Sequence, residues 1–420
     1  MGRLILKEAR PRGESEWSGV RDAVGQILRE VKERGDDALR EFTHRFDRVD
    51  RPSPLVSQEE REQAWSNVPA EAVRDLEFVA QRIREFARLQ LAAMSEVERE
   101  VLPGVHVGHR LIPLESAAVY VPGGRYPLPS TALMGIIPAR EAGVGRVITC
   151  SPPDAHGGIN HYTLVAMQIA GADEIYCMGG AQAVAAFAYG TETIRPVDII
   201  VGPGNQYVTE AKRQVAGLVA IDFLAGPSEV LVIADHTANP AYVAADLLAQ
   251  CEHDPQARAT LVTTSRMLAD RVLAELASQL ALLSTAEVAR ASWEANGQVC
   301  LVTDLEEAVA VANEVAPEHL EVHVADPKGL LPRLRNYGSL FLGEMAAEVF
   351  GDYVSGPNHI LPTMGTARFT GGLWAGMFVK VATHQWLSAE GAKTLAPVAY
   401  RLGMLEGLVA HAAAAKVRMS

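Results

Sequence analysis

Glu318 and His319 are adjacent ionisable residues that follow Pro317 at the start of a predicted strand. Within a strand, neighbouring side chains point to opposite faces, but at a junction between a loop and a strand both can face one cleft. A carboxylate and an imidazole placed in this way would supply two groups for proton transfer. The alternative is an exposed surface pair without a catalytic role.

A second group of residues has side chains of the kind that bind zinc. Gln250 and His253 are three positions apart at the end of a predicted helix and therefore share a face of it. Zinc accepts nitrogen and oxygen ligands, which Asp352 and His411 would also offer. A histidine stabilised at a helix end by the helix dipole is the alternative for His253. Spacing alone does not assemble these four residues, because they extend from position 250 to position 411.

Three glycine-containing turns follow predicted strands, and two of them precede predicted helices. They are VPGGR (121–125), GGAQ (179–182) and GPGN (202–205). Glycine permits close approach of the backbone to a ligand, and the N-terminus of a helix attracts phosphate. None of the turns matches the dinucleotide fingerprint GxGxxG, and each alone is compatible with a simple tight turn. Their occurrence within one 85-residue block favours a nucleotide site.

The elements that must position these residues alternate between strands and helices. After Pro103, short apolar runs predict strands, and most segments between them are long enough for one helix. The predicted strands cover 117–121, 146–150, 174–177, 198–201, 229–234, 260–263, 299–302, 320–324 and 339–342. This alternation predicts an α/β fold with parallel sheets, and the number of strands predicts two Rossmann-like domains. The residues before Pro103 and the tail 395–419 have helical periodicity.

The composition excludes several classes of function. The 420 residues include 38 Lys and Arg against 51 Asp and Glu, a net charge of −13 that argues against a nucleic-acid-binding surface. The four cysteines form no CxxC pair, and their low number argues against a secreted disulfide scaffold. The sequence predicts neither a signal peptide nor a membrane-spanning segment, so we expect a cytoplasmic protein without a membrane partner.

Eight segments, taken together, resemble the histidinol dehydrogenase family. They are VYVPGGR (119–125), GGAQAVAAFAYGTETI (179–194), VGPGNQYVTEAKR (201–213), IDFLAGPSEVLVIAD (221–235), ADLLAQCEHDP (245–255), APEHLEV (316–322), GDYVSGPNHILPT (351–363) and EGLVAH (406–411). They occur in the order found in the family and are long enough to be specific. The resemblance implies a homodimeric enzyme that uses NAD and zinc to oxidise an amino alcohol to the acid through an aldehyde.

The resemblance also implies roles for individual residues. In the catalytic pair, His319 would take the hydroxyl proton and Glu318 would activate water. The implied NAD contacts are Tyr120, Gln182 and Asn205, and the implied zinc ligands are Gln250, His253, Asp352 and His411. The implied substrate contacts are Ser228, Gln250, His253, His319, Asp352, His359, Glu406 and His411. His411 would come from the partner subunit, so that the active sites are shared across the dimer.

We expect four parts in the chain. These are an N-terminal arm (1–18), a first Rossmann-like domain (19–118 with 228–372), a second, NAD-binding Rossmann-like domain (119–227), and a helical tail (373–420). The tail is expected to exchange between the two subunits of the dimer.

Two segments, RYPLPSTALM (125–134) and TGGLWAGMFVKVATHQWLS (370–388), depart from the pattern usual in biosynthetic members. They resemble paralogous members that oxidise other small polar alcohols, such as 2,3-dihydroxypropane-1-sulfonate to sulfolactate. A sulfonate would need a basic pocket residue, for which Arg125, Arg368 and Lys380 are the candidates. The first expectation is oxidation of L-histidinol to L-histidine, and the paralogous activity is the alternative.

Overall fold

Residues 3–11, 17–123 and 126–420 are described in a computed structural model of the chain. Within these ranges the strands are β1 (Leu4–Lys7), β2 (Val97–Leu102), β3 (Val105–Pro113), β4 (Ser116–Tyr120), β5 (Arg146–Ser151), β6 (Glu174–Cys177), β7 (Ile199–Val201), β8 (Ala220–Ile221), β9 (Glu229–Ala234), β10 (Arg258–Thr263), β11 (Gln298–Leu301), β12 (His319–His323), β13 (Ser339–Leu342) and β14 (Val379–Leu387). The α-helices are α1 (Trp17–Arg34), α2 (Asp36–Asp47), α3 (Gln58–Asn67), α4 (Ala70–Ala92), α5 (Pro129–Glu141), α6 (His161–Ala170), α7 (Gly180–Tyr189), α8 (Gln206–Val215), α9 (Pro240–Cys251), α10 (Arg266–Leu280), α11 (Ala286–Asn296), α12 (Leu305–Val315), α13 (Pro327–Leu330), α14 (Glu348–Tyr353), α15 (Ala389–Leu405) and α16 (Val409–Lys416). None of the described helices has the length and apolar character needed to cross a membrane.

A six-stranded sheet has the order β1-β11-β10-β9-β12-β13, and its strands are parallel except for the antiparallel edge strand β1. The central strand β9 is buried at every position, and its Val-Leu-Val-Ile-Ala run is typical of a parallel strand between two helix layers. His319 at the start of β12 pairs with Val230 of β9. The segments that precede these two strands therefore lie side by side.

A five-stranded parallel sheet has the order β6-β5-β4-β7-β8. Its two faces carry separate apolar cores, as the alternation along β4 shows. Ala117 and Val119 join the core beneath α5 and α6, whereas Ala118 and Tyr120 join the core beneath α7 and α8. The two parallel sheets, each associated with helices, confirm the predicted α/β fold.

The N-terminal helices pack on the five-stranded sheet. Helices α1 and α2 contact α7, α1 also contacts α8, and α4 contacts α5. Val24, Leu28 and Val31 of α1 belong to the same apolar core as α7 and α8. This packing differs from the expected grouping of 19–118 with 228–372. Helical periodicity shows that a helix buries one face, but it does not show which sheet covers that face.

A three-stranded antiparallel sheet, absent from the sequence-based prediction, joins β14 to the β2–β3 hairpin. Every residue of β2 is exposed, so this strand lacks the apolar alternation by which strands are recognised. The sheet ties the tail to the chain, because α15 begins directly after β14 and Gly391 packs against the backbone of Gly104. A Cβ atom on Gly391 would lie 2.3 Å from the Gly104 carbonyl oxygen, so this contact requires glycine.

Candidate active site

Glu318 and His319 lie at the amino end of β12, and both side chains are buried. Glu318 Oε2 accepts a hydrogen bond of 2.9 Å from the backbone N–H of Glu229 and lies 3.8 Å from His319 Nδ1. Open parallel sheets usually bind ligands beyond the carboxyl ends of their strands. This pair lies at the opposite edge, where the residues before β9 and β12 meet.

Two further carboxylates surround the His319 ring. Glu348 and Asp352 are four residues apart on α14 and so project from one face of this short helix. Glu348 Oε1 lies 3.5 Å from His319 Nδ1, and Asp352 Oδ1 lies 3.5 Å from His319 Nε2. Neither ring nitrogen has a hydrogen-bond partner among the described residues, so both are available to a ligand.

The end of α9 brings Gln250 and His253 to the same carboxylates. Gln250 is fully buried, and with its amide nitrogen toward Glu348 it donates to the two carboxylate oxygens at 2.7 and 3.2 Å. Ligand atoms of His253, Glu348 and Asp352 lie within 4.8 Å of one another. This nitrogen and oxygen donor set fits a zinc ion, whose bonds to such ligands are about 2.0–2.2 Å long.

Burial and neighbouring charges shift the pKa values of these groups. Burial raises the pKa of Glu318 to about 8, against the opposing effect of His319. Burial alone would lower the pKa of His319, but the three neighbouring carboxylates outweigh it and raise this pKa well above its usual value. Burial alone would raise the pKa of Asp352, but the contact with His319 outweighs it and lowers this pKa. At neutral pH Glu318 is therefore mostly protonated and His319 is a hydrogen-bond donor.

His359 connects this cluster to the five-stranded sheet. Its Nδ1 lies 2.9 Å from the carbonyl oxygen of Asp352, and its Nε2 lies 2.9 Å from the hydroxyl of Thr131 on α5. A carbonyl only accepts, so Nδ1 carries the proton and Nε2 can accept from the hydroxyl. Burial lowers the pKa of His359, which agrees with this neutral form.

The three residues expected to contact NAD lie at the carboxyl edge of the five-stranded sheet. Tyr120 ends β4, and its hydroxyl accepts a 3.1 Å hydrogen bond from the N–H of Gly180. Gln182 lies in the first turn of α7, and its buried Nε2 has no partner among the described residues. Asn205 caps α8 by accepting a 3.0 Å hydrogen bond from the N–H of Tyr207.

Two glycines shape this edge into a cradle. Gly202 has a φ of 110°, and a Cβ atom there would lie 2.1 Å from the carbonyl oxygen of Tyr120. Gly180 has a φ of 66° and begins α7. Positive φ and close backbone approach both require glycine. This edge fits the phosphates of a dinucleotide. It offers two helix N-termini, backbone that a ligand can approach closely, and the unpartnered amide of Gln182.

The segment 221–229 connects the cradle to Glu318. Asp222 accepts a 2.8 Å hydrogen bond from the N–H of Gly202 and pairs with the buried Lys212. At the other end, the N–H of Glu229 binds Glu318. Ser228 lies between them, half-buried, and its carbonyl accepts a 3.0 Å hydrogen bond from the N–H of Arg258.

Two implied site residues lie on the tail. Glu406 follows α15, His411 lies in α16, and both are exposed. The main contacts of α16 are with α15. Within the described ranges, neither residue makes a hydrogen bond or an ion pair with the groups around His319. One chain alone therefore assembles Gln250, His253, Asp352, His319 and His359, but not Glu406 and His411.

The three basic residues considered for a sulfonate have different positions. Arg125 falls outside the described residues. Arg368 lines a cavity of about 350 Å³ whose lining also includes Pro317 and Glu229, the two residues that adjoin Glu318 in the chain and by hydrogen bond. Lys380 lies on β14, where it pairs with Ile112.

Sequence reasoning missed Glu348, which contacts both Gln250 and His319. The available signal was its spacing of four residues from Asp352, which places both carboxylates on one face if the segment is helical. The glycine and proline residues that follow led us to expect a loop beside Asp352, and a six-residue helix is too short to reveal its period.

The comparisons with known proteins agree on one family. The family model for histidinol dehydrogenase matches residues 10–419. The chain is 47% identical over 416 residues to a histidinol dehydrogenase of Methanothermobacter thermautotrophicus, covering 99% of this chain and 97% of that protein. It is 46% identical over 400 residues to a histidinol dehydrogenase homolog of Shouchella clausii, covering 95% and 94%. The crystal structure of histidinol dehydrogenase from Elizabethkingia anophelis matches with a TM-score of 0.93 and 37% identity, covering 98% and 94%.

Proposed function

Because this chain belongs to the histidinol dehydrogenase family of NAD-dependent oxidoreductases, we propose that it oxidises L-histidinol to L-histidine through the aldehyde, a reaction of histidine biosynthesis. The observation that carries the proposal is the convergence of a buried Glu–His pair with Gln250, His253 and Asp352 in one site. Bound NAD would accept the hydride in each of the two oxidation steps.

The two catalytic residues divide the proton transfers. In its neutral form, His319 accepts the hydroxyl proton of the alcohol as the hydride leaves the carbon. The three neighbouring carboxylates stabilise the imidazolium that forms. Glu318 takes a proton from water as the water adds to the aldehyde. After His319 has released its first proton to solvent, the hydrate gives a hydroxyl proton to His319 and its hydride to NAD, which leaves the acid. The hydrogen bond from the N–H of Glu229 holds the Glu318 carboxylate in place for this role.

Gln250, His253 and Asp352 would hold zinc, together with the partner subunit's His411. Zinc would anchor and orient the substrate through both steps, and its charge would favour loss of the proton from His319. Asp352 would bring the only formal negative charge among these four ligands, which predicts an exchangeable metal. Ser228, His359 and Glu406 remain proposed substrate contacts.

Tyr120, Gln182 and Asn205 would contact NAD in the cradle at the carboxyl edge of the five-stranded sheet. The segment 221–229 joins this cradle to Glu318 through hydrogen bonds at both of its ends. A rigid connection of this kind supports alignment of the nicotinamide with the carbon that loses hydride.

We propose a homodimer in which the tail of each chain completes the site of the other. Several apolar side chains of the tail are exposed in a single chain. They are Val398, Leu402, Leu405, Leu408, Val409 and Val417. Exposed apolar area of this kind is typical of an interface with another chain. Glu406 and His411 lie within the same segment, so covering it with a second copy would bring both residues to that copy.

A cavity of about 520 Å³ beside His253 supports L-histidinol over a sulfonate. Its described lining includes the rings of Tyr126 and Tyr353 and the carboxylates of Asp75 and Glu252, and among the described lining residues there is no Lys or Arg. Aromatic and acidic walls suit an imidazole ring and an amino group, whereas a sulfonate would meet like charge.

The experiment compares NADH formation from L-histidinol and from (R)-2,3-dihydroxypropane-1-sulfonate at about pH 9, where Glu318 is mostly ionised. The full chain is supplied with zinc. Glu318→Gln serves as the control, which should form one NADH per L-histidinol and little L-histidine. Two NADH per L-histidinol, with L-histidine as the product, is the expected result. Turnover of the sulfonate alone would assign the chain to the paralogous activity, which the divergent segments 125–134 and 370–388 favour.

A further inference from the structure

A second buried cluster of ionisable side chains lies behind the candidate active site. It consists of Asp246 on α9 and of Glu321 and His323 on β12, all less than a tenth exposed. His323 Nε2 lies 3.3 Å from Glu321 Oε2 and 3.8 Å from Asp246 Oδ2. Nothing in the reaction proposed above uses these three residues.

The cluster joins the three elements that carry the proposed zinc and proton-transfer groups. Asp246 lies one helical turn before Gln250 on α9, so the two share a helix face. Glu321 and His323 follow His319 at alternate positions of β12, so all three project from one face of the strand. Both α9 and β12 therefore present one side chain to the active site and at least one other to the cluster.

Glu321 also binds the third element directly. Its Oε1 accepts a 2.7 Å hydrogen bond from the backbone N–H of Glu348, the first residue of α14. Ala347, at the N-cap position, cannot supply a side-chain cap, so Glu321 does so from the neighbouring strand. A carboxylate at this end is also favoured by the helix dipole.

The position of α14 determines the geometry of the site, because Glu348 and Asp352 approach Gln250 and His319 from this helix. A helix of six residues has little stability of its own and takes its position from its contacts. We propose that Glu321 is a positioning residue. By capping α14 it holds the proposed zinc ligand Asp352 in place, together with Glu348, which accepts hydrogen bonds from the ligand Gln250. This inference rests on the proposed function, since it assumes that zinc binds there.

The test measures the zinc dissociation constant of the full-length protein by competition with a chromogenic chelator. Glu321→Ala removes the acceptor, whereas Glu321→Gln keeps an oxygen that can accept from the N–H of Glu348. Loss of a group that orients metal ligands typically weakens metal binding about 10–100-fold. We expect a weakening of this size for the alanine variant and about threefold or less for the glutamine variant. The visible spectrum of the Co²⁺-loaded protein should change more in Glu321→Ala than in Glu321→Gln.

Ser292→Ala is the matched control for a general loss of stability. Ser292 lies on α11, which packs on the same sheet but carries none of the proposed zinc ligands. It is fully buried and donates a 2.9 Å hydrogen bond to the carbonyl of Ala257. The control should lower the melting temperature without changing the zinc dissociation constant. Equal loss of zinc affinity in the control, or an unchanged constant in Glu321→Ala, would overturn the positioning role.

Two further outcomes are informative. A second zinc equivalent per chain that disappears in Glu321→Ala would mean that the cluster is itself a metal site, which overturns the positioning role. Failure of the unmodified protein to bind zinc at all would contradict the proposed function rather than the role of Glu321, so the two failures are distinguishable.

Discussion

Replacing Glu318 by glutamine removes a base while changing little else. The amide oxygen of glutamine can still accept the 2.9 Å hydrogen bond from the N–H of Glu229, and the side-chain volume is nearly the same. The amide cannot take a proton from water. We therefore expect oxidation of the aldehyde to slow by about 10²–10⁴-fold, the usual contribution of a general base, equivalent to about 3–5 kcal/mol of activation free energy.

The pKa of Glu318 adds a dependence on pH. Burial raises this pKa to about 8, so the ionised, active form accumulates only as the pH rises. The ionised fraction is about 9% at pH 7 and about 91% at pH 9, which predicts a tenfold increase in the rate of aldehyde oxidation across this interval. Glu318→Gln should lose this dependence.

The assay follows NADH at a saturating concentration of NAD, with L-histidinol and with its aldehyde supplied separately. Glu210→Gln is the control, because Glu210 is equally buried but pairs with Arg213 on α8. Equal loss in both half-reactions, or a pH profile that survives in Glu318→Gln, would refute the assignment of Glu318 as the group that activates water.

Three further predictions concern the other parts of the site. His319→Asn should slow oxidation of the alcohol by about 10²-fold or more in single-turnover measurements, and unchanged turnover would remove His319 from the mechanism. Glu318→Gln and His411→Asn chains should each form little L-histidine. Mixing them after reversible dissociation should restore about a quarter of the wild-type rate of L-histidine formation, because half of the dimers would then contain one intact shared site; no recovery in confirmed mixed dimers would contradict sharing. Gly202→Ala should weaken NAD binding by calorimetry and cost about 1–3 kcal/mol of stability, since the φ of 110° and the Tyr120 carbonyl exclude a Cβ atom; unchanged NAD affinity would argue against the cradle.

The positions of most parallel strands along the chain were predictable, because each one is a short apolar run between helical segments. The strands from Arg146 to Leu342 lie within a few residues of their predicted positions, apart from the two-residue β8, which was not predicted. The three-stranded sheet was not predicted, since β2 is exposed at every position and takes its conformation from pairing with β3. An apolar pattern cannot reveal a strand whose residues are all exposed and whose conformation comes from hydrogen bonds to a neighbouring strand.

Sequence by itself determined which residue types the site contains and that Glu318 and His319 are neighbours. The tertiary structure decided which edge of the sheet they occupy and which carboxylates surround them. The roles of Glu348 and Glu321 follow only from the packing of α14 against β12, because their contacts join residues 27 or more positions apart. The physical reason is that hydrogen bonding and burial depend on distance in space, whereas a sequence pattern records only which face a residue occupies within its own element.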